Sequence, residues 1–273
     1  MTLEELVRQS LIEDVGPGDV TTNSCVPASS RSEAWIEARQ SLVVSGLQPA
    51  AEVFRQMGVN FVPLVEDGER VCPLQKVAEI SGSSRSILTG ERLALNFLMR
   101  LSGIATHTAI AVDAAAGQIE VVDTRKTTPL HRKLEKDAVL HGGAKNHRFA
   151  LYDAVLIKDN HIRAAGGVGA AIENARAAAP SLRIQCEVEN LRELEEAIAA
   201  GAQSVLLDNM SNEELAACVQ VAASRVETEA SGGMTAERIS GLVGIGLDRV
   251  SVGGLIHQAR WVDFSLQFAG RDG

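Results

Sequence analysis

Residues 183–208, RIQCEVENLRELEEAIAAGAQSVLLD, decide the fold. The stretch opens with the alternation of a strand (RIQCEVE), continues as an Ala-rich amphipathic helix that ends near Gly201, and closes on a short β-branched run ending at Asp208. Strand, helix and strand at this spacing form a βαβ unit, which demands a right-handed parallel crossover. The unit recurs from Ile119 onward. Strands are expected at IEVVD (119–123), AVLIK (154–158), RVETEAS (225–231) and RVSVGG (249–254), with helices at SNEELAACVQVAAS (211–224) and TAERISGLVGIG (235–246). Such repeats leave two architectures, a doubly wound sheet or a β/α barrel.

The polar residues choose the barrel. Each strand delivers charged residues or glycines at its C-terminal end: Arg125 and Lys126, Lys158, Glu187, Asp208, Ser231 to Gly233, and Gly253 with Gly254. In a barrel those ends ring one mouth, whereas in an open sheet only the strands beside the switch point converge. Six visible strands instead of eight predict an incomplete barrel. The first hundred residues read as a mixed α+β unit. They hold a strand over 33–45, a helix over 47–57, a strand over 70–81 and a long linking helix from Glu91.

The chain is acidic, with 26 Lys and Arg against 35 Asp and Glu, a net charge of -9 and a pI near 5.2. This balance excludes a nucleic-acid binder, which needs a basic excess. One segment runs the other way: residues 123–161 carry eight Lys and Arg against five acids, +3, which leaves -12 for the rest, and four of the six histidines. Cations gathered into Thr124-Arg125-Lys126 and Lys145-Asn146-His147-Arg148 point to a pocket for a small, highly charged anion. Arg132, Lys133 and Lys136, lying with Glu135 and Asp137 in a helical run, are read as solvated surface.

No apolar run reaches the roughly 18 residues that span a bilayer, and Met1 to Ser10 lack the pattern of a signal peptide, so a cytoplasmic location is expected. Cys25, Cys72, Cys186 and Cys218 are scattered, with no C-x-x-C pair, and are read as reduced packing residues. Neither a G-x-G-x-x-G nor a Walker loop is present.

Candidate chemistry follows from the strand ends. The turns Ser231-Gly232-Gly233 and Val252-Gly253-Gly254 follow the last two barrel strands, where backbone amides approach a phosphate closely. Glu187 and Asp208 are suited to sugar hydroxyls or to a hydrated Mg²⁺, which takes only one or two carboxylates; the alternative is that they close helix N-termini or pair with a basic neighbour. Lys158, behind four apolar residues, is a candidate Schiff-base amine as in a barrel lyase, although a crowd of cations suits a polyanion better. His147 and His161 are candidate donors to a carboxylate.

The motifs DTRKTTP, GG-x-x-NHR, LIKDNH, CEVEN, LLDN, EASGG and SVGGL, with EDVGPGDVTT and GERLALNFLMRLSGIAT before them, resemble the quinolinate phosphoribosyltransferases over essentially the whole chain. The resemblance implies an N-terminal α/β sandwich (1–104), an incomplete α/β barrel with parallel strands (105–260) and a C-terminal return to the first domain (261–273). It implies a pentosyl-class glycosyltransferase of NAD biosynthesis that joins quinolinate to phosphoribosyl pyrophosphate with Mg²⁺, giving nicotinate mononucleotide, pyrophosphate and CO₂. Arg125, Lys126, His147 and Arg148 would hold the quinolinate carboxylates, with Thr124 beside them and Lys158 between them and the phosphoribosyl group. Glu187 and Asp208 would take the ribose hydroxyls and the metal. The turns Ser231-Gly232-Gly233 and Val252-Gly253-Gly254 would hold the 5′-phosphate. Catalytic roles fall to Lys126, Lys158, Glu187 and Asp208, and Arg92 would cross from the partner of a homodimer. Leu130-His131 departs from the Gly-Leu of many members, Ala144 replaces a glycine, and Ile256-His257-Gln258 replaces a Thr-His-Ser-like sequence. Rival readings are a molybdate-transport-associated paralogue that binds an oxyanion, a phosphate-ligand sensor without catalysis, and the Schiff-base lyase at Lys158.

Overall fold

The computed structural model describes residues 1–269. The chain divides into two compact units, the first containing Met1–His107, Thr128–Gly143 and the chain from Ala259, the second Thr108–Thr127 and Ala144–Gln258. The division is not contiguous, because a 16-residue excursion from the basic segment belongs to the first unit and not to the barrel stretch that surrounds it in sequence.

The first unit begins with α1 (Leu3–Val15), closed by a capping box between Thr2 and Glu5, and α2 (Val20–Cys25), capped by Asp19. Strands β1 (Arg31–Ala38) and β2 (Leu42–Val43) follow, then α3 (Leu47–Gln56), β3 (Asn60–Pro63), β4 (Arg70–Val71), β5 (Lys76–Ser83) and the long α4 (Ser84–Ala114), whose last turns, from Thr108, belong to the second unit. The two strands expected over 33–45 and 70–81 are each broken in two. Polar Arg39-Gln40-Ser41 turns the first, and Pro73, which has no N–H for a ladder, with Leu74 at φ 66°, turns the second. An antiparallel sheet in the order β12-β1-β5-β3 results, with β12 (Phe264–Phe268) pairing with β1 from the far end of the chain. Its Ala34, Ile36 and Ala38 face a core shared with Phe54, Leu95 and Leu98. Residues 270–273 of the expected C-terminal return lie outside the described residues.

Helix α5 (Arg132–His141), preceded by the Thr128 turn, also belongs to this unit. Here the reading of surface charge fails for two residues. Glu135 and Lys136 are buried, at 1% exposure each, while Lys133 is exposed and pairs with Asp137. Glu135 accepts from the Arg100 guanidinium (3.0 Å), the Thr128 N–H (2.7 Å) and the Thr128 hydroxyl (2.8 Å), so its charge is compensated by donors no helical pattern reveals. Leu130 sits at φ 67°, in the left-handed region that residues other than glycine rarely adopt.

The second unit is a parallel sheet in the order β6-β11-β10-β9-β8-β7, made of β6 (Glu120–Val122), β7 (Val155–Ile157), β8 (Ile184–Val188), β9 (Ser204–Asp208), β10 (Glu227–Ser231) and β11 (Arg249–Ser251). Five consecutive strands lie side by side and the last then pairs with the first, so the sheet curls on itself with no switch point. Between β6 and β7 the barrel stays open, with Lys145 forming an isolated parallel bridge to Val122 at the free edge of β6. Helices α6 (Asp159–Ala165), α7 (Val168–Ala178), α8 (Leu191–Ala199), α9 (Asn212–Ala222), α10 (Ala236–Leu242) and α11 (Gly254–His257) follow the strands. Side-chain caps from Asn190, Ser211 and Thr235 start α8, α9 and α10 immediately after the strand-end loops. At the opposite, N-terminal ends of the strands, Arg249 bridges Glu120 (2.5 Å) and Glu227 (3.0 Å), and Arg183 adds a second cation to Glu227 (2.7 Å).

Candidate active site

The C-terminal strand ends surround a cavity of about 750 Å³, lined within the second unit alone. The period of a strand explains the lining. Residues two apart share a face, so Leu156 with Lys158, Leu206 with Asp208, Glu229 with Ser231, and Ser251 with Gly253 all point to the mouth. Of the residues expected there, Thr124, Arg125, Lys126, His147, Arg148, Lys158, Asp208, Ser231, Gly232, Gly233, Gly253 and Gly254 line it.

Three expected residues lie elsewhere. Glu187, one strand turn inside the rim and 8% exposed at its side chain, is reached from the cavity through Lys158, whose ammonium bonds Glu187 Oε2 at 2.9 Å. Val252 is buried, and its N–H already donates to the Val122 carbonyl (3.0 Å), so it is not a phosphate donor. Arg92 is exposed on α4 in the first unit.

Two arginines dominate the electrostatics. Burial and the adjacent Arg125 charge hold the Arg148 guanidinium below its ordinary value, with Asp153 partly offsetting them. Arg125 Nε is buried and has no hydrogen-bond partner among the described residues. Two partly buried like charges, one with an orphaned donor, are stabilised by an anion that bridges them.

The loop carrying Arg148 is pinned from below. The carboxylate of Asp123, fully buried at the end of β6, accepts from the His147 N–H at 2.8 Å. His147 Nδ1 then accepts from the Arg148 N–H (2.7 Å), which leaves Nε2 to carry the ring proton toward Gln185 Oε1 (3.0 Å) and Glu229 Oε1 (3.6 Å). Both ring nitrogens face protein groups, so the imidazole braces Arg148 in place of donating into the cavity. His161 is likewise occupied, its Nδ1 accepting from the Lys158 N–H (2.9 Å).

Glu229 was missed by the sequence reading. It is fully buried, lines the cavity and accepts from Gln185 Nε2 at 2.9 Å. The signal was present in the alternation of ETEAS, two residues before the Ser231 that was chosen. Asp208 presents its carboxylate with Asn209 Nδ2 bound to one oxygen (2.6 Å). Glycine is required at Gly232, φ 92°, where a β-carbon would collide with the Asn209 side chain, while Gly253 lies beside the Lys126 side chain, whose Nζ would stand 3.0 Å from a β-carbon there.

The comparisons agree with this geometry. Residues 19–102 match the model of the quinolinate phosphoribosyl transferase N-terminal domain, and residues 104–267 that of its C-terminal domain. A probable nicotinate-nucleotide pyrophosphorylase [carboxylating] of Bacillus subtilis is 39% identical over 270 residues, 97% of this chain and 93% of that one. The nicotinate-nucleotide pyrophosphorylase [carboxylating] of Homo sapiens is 39% identical over 279 residues, 100% of this chain and 93% of its own. Among solved structures, NadC from Streptococcus pyogenes superposes with a TM-score of 0.94 at 42% identity, covering 98% of this chain and 97% of that one. With both family domains matched in order and the barrel-mouth cations assembled in one cavity, this chain belongs to the quinolinate phosphoribosyltransferase family.

Proposed function

We propose that this chain transfers the phosphoribosyl group of phosphoribosyl pyrophosphate to the ring nitrogen of quinolinate with loss of CO₂, giving nicotinate mononucleotide and pyrophosphate in NAD biosynthesis. The observation that carries this reading is the Arg125 and Arg148 pair lining one cavity, in which burial and then the Arg125 charge lower the Arg148 guanidinium and a buried Arg125 donor is left over. Vicinal carboxylates on one ring are a compact dianion of the kind such a pair accommodates. Lys126 faces the same cavity across Gly253 and adds a third cation.

The other end of the cavity is suited to the sugar phosphate. Ser231, Gly232 and Gly233 offer a hydroxyl and unhindered amides, and Gly253 with Gly254 approaches from the next strand. Lys158 lies between the two ends with its ammonium held by Glu187. As pyrophosphate leaves C1 of the ribose, the sugar becomes oxocarbenium-like, and fixed cations stabilise the charge that collects on the departing group. The ring nitrogen then bonds C1 and becomes cationic. The C–CO₂⁻ bond of the adjacent carboxylate breaks to release CO₂, its electron pair stays on the vacated carbon where the neighbouring cationic nitrogen stabilises it, and that carbon takes a proton from solvent.

Mg²⁺ suits this donor set. Among the described residues no group of three or more His, Cys, Asp or Glu could cage a metal. Asp208 at the cavity, with Glu187, would hold a magnesium ion that keeps most of its water, which is compatible with that. When bound, it would supply charge neutralisation on pyrophosphate.

The assembly proposed is a cytoplasmic homodimer in which Arg92 of each chain serves the site of the other. Among the described residues no helix is long and apolar enough to cross a membrane. The Schiff-base reading loses ground, because a carbonyl substrate needs a free amine and that of Lys158 is engaged by Glu187. The test is purified protein with quinolinate, phosphoribosyl pyrophosphate and Mg²⁺, followed by nicotinate mononucleotide and CO₂ in equal amounts. Tight ligand binding with no product would overturn the reading in favour of a binding protein.

A further inference from the structure

Arg238 lies outside the cavity lining, yet it is bonded to both loops that shape the phosphate end. It sits at the third position of α10, its own N–H donating to the Thr235 hydroxyl (3.2 Å). From there the guanidinium folds back across the start of its helix. Nη1 donates to the Gly232 carbonyl (2.5 Å), Nη2 to the Met210 carbonyl, and Nε to Asn212 Oδ1 (3.3 Å). One planar fork thereby joins the loop after β9 to the loop after β10.

The consequence follows from peptide geometry. In a trans peptide the carbonyl and the next N–H point in opposite directions. With the Gly232 oxygen held toward Arg238, the Gly233 N–H points away from it, and Gly233 lines the cavity. No group among the described residues is bonded to that N–H. Gly233 itself is at φ 59°, and Gly232 at φ 92° is packed against Asn209, so the turn has little room to find another orientation.

We infer that Arg238 is a positioning residue for the phosphate end of the site, holding the Gly232 and Met210 carbonyls outward so that the Gly233 N–H is presented to the 5′-phosphate. This rests on the reading of the Ser231-Gly232-Gly233 turn as the phosphate site. Lysine is not an equivalent substitute, because a single ammonium lacks the rigid fork that grips two carbonyls at once.

The experiment uses the full chain with Arg238→Met and Arg238→Lys, steady-state kinetics on both substrates, and the Gly233 backbone amide followed by NMR during titration with ribose 5-phosphate. Both variants should raise KM for phosphoribosyl pyrophosphate about tenfold, the order expected for one charged-group hydrogen bond, while KM for quinolinate stays within about twofold. The Gly233 amide should shift in wild type and require about tenfold more ligand in the variants. Wild-type behaviour of Arg238→Lys would overturn the inference, since charge alone would then suffice. An equal rise in both KM values would also overturn it, as general loosening. A Gly233 amide that ignores ribose 5-phosphate in wild type would instead sink the phosphate reading of the turn. An amide that responds equally in wild type and variants would leave that reading standing and remove Arg238 from it. If Arg238→Met fails to fold, Arg238→Lys carries the test.

Discussion

Lys158 Nζ bonds Glu187 Oε2 at 2.9 Å, joining a half-exposed ammonium at the barrel mouth to a carboxylate that is 8% exposed. The pair gives each residue a reason for its place. Glu187 fixes the lysine ammonium at the rim of the cavity, and Lys158 compensates a carboxylate that burial alone would penalise.

Lys158→Ala should therefore lower turnover by about two to three decades, the scale of losing a preorganised charge in an active site. The fold should survive, because the side chain is half exposed. Lys133→Ala, which removes an exposed i,i+4 partner of Asp137, should change activity and stability little. Equal damage from the two substitutions, measured as kcat, would contradict the division between pocket and surface cations.

Quinolinate should be preferred strongly over nicotinate. Removing one carboxylate leaves a desolvated arginine unpaired, a loss of about 3 to 5 kcal/mol, or roughly two to four decades in kcat/KM. Comparable specificity constants for the two acids would remove the dianion from the Arg125 and Arg148 pair.

Glu135→Ala should unfold the protein at lower temperature without touching the cavity. It strips a buried carboxylate from Arg100 and from two donors of Thr128, and breaking a buried pair on one side costs about 3 to 5 kcal/mol. Calorimetry measures the loss. A Tm within a degree of wild type would mean that water replaces the carboxylate at no cost.

Arg92→Ala and Lys158→Ala homodimers should each be nearly inactive, yet recover activity when mixed and allowed to exchange subunits. Random exchange makes about half heterodimers with one intact site each, so the ceiling is about a quarter of wild type. No recovery, with exchange verified by native mass spectrometry, would place Arg92 in the site of its own chain.

Thiol labelling should separate the cysteines. Cys25 and Cys72 are exposed, contrary to the packing role expected of all four, whereas Cys186 and Cys218 are buried. Burial, reinforced by Glu193 and Glu187, pushes the Cys186 thiol up to about 12. Cys25 and Cys72 should therefore label readily in the native protein, while Cys186 stays unreactive even at pH 9. Mass spectrometry of native protein showing Cys186 modified at pH 9 would contradict its burial.

The sequence by itself determined the repeated βα units, the barrel and most of its mouth. Hydrophobic period and strand-end chemistry are local properties, and a parallel barrel brings all strand ends to one place whatever the loops do. Arg125, Lys126, Lys158 and Asp208 are legible in this way, and Arg148 from the clustering of cations in residues 145–148. What only the tertiary structure decided were pairings across long separations. Glu135 looked like a surface acid until Arg100 and the Thr128 turn met it, and His147 looked like a ligand until Arg148 and Gln185 took both its nitrogens. Glu229 and Arg238 act through partners on other strands and loops, 44 and 28 residues away for Gln185 and Met210. A charge in a sequence has a known sign but no known environment, and its environment, set by which distant donors the fold brings within about 3 Å, decides whether it binds substrate, braces a neighbour or stays in water.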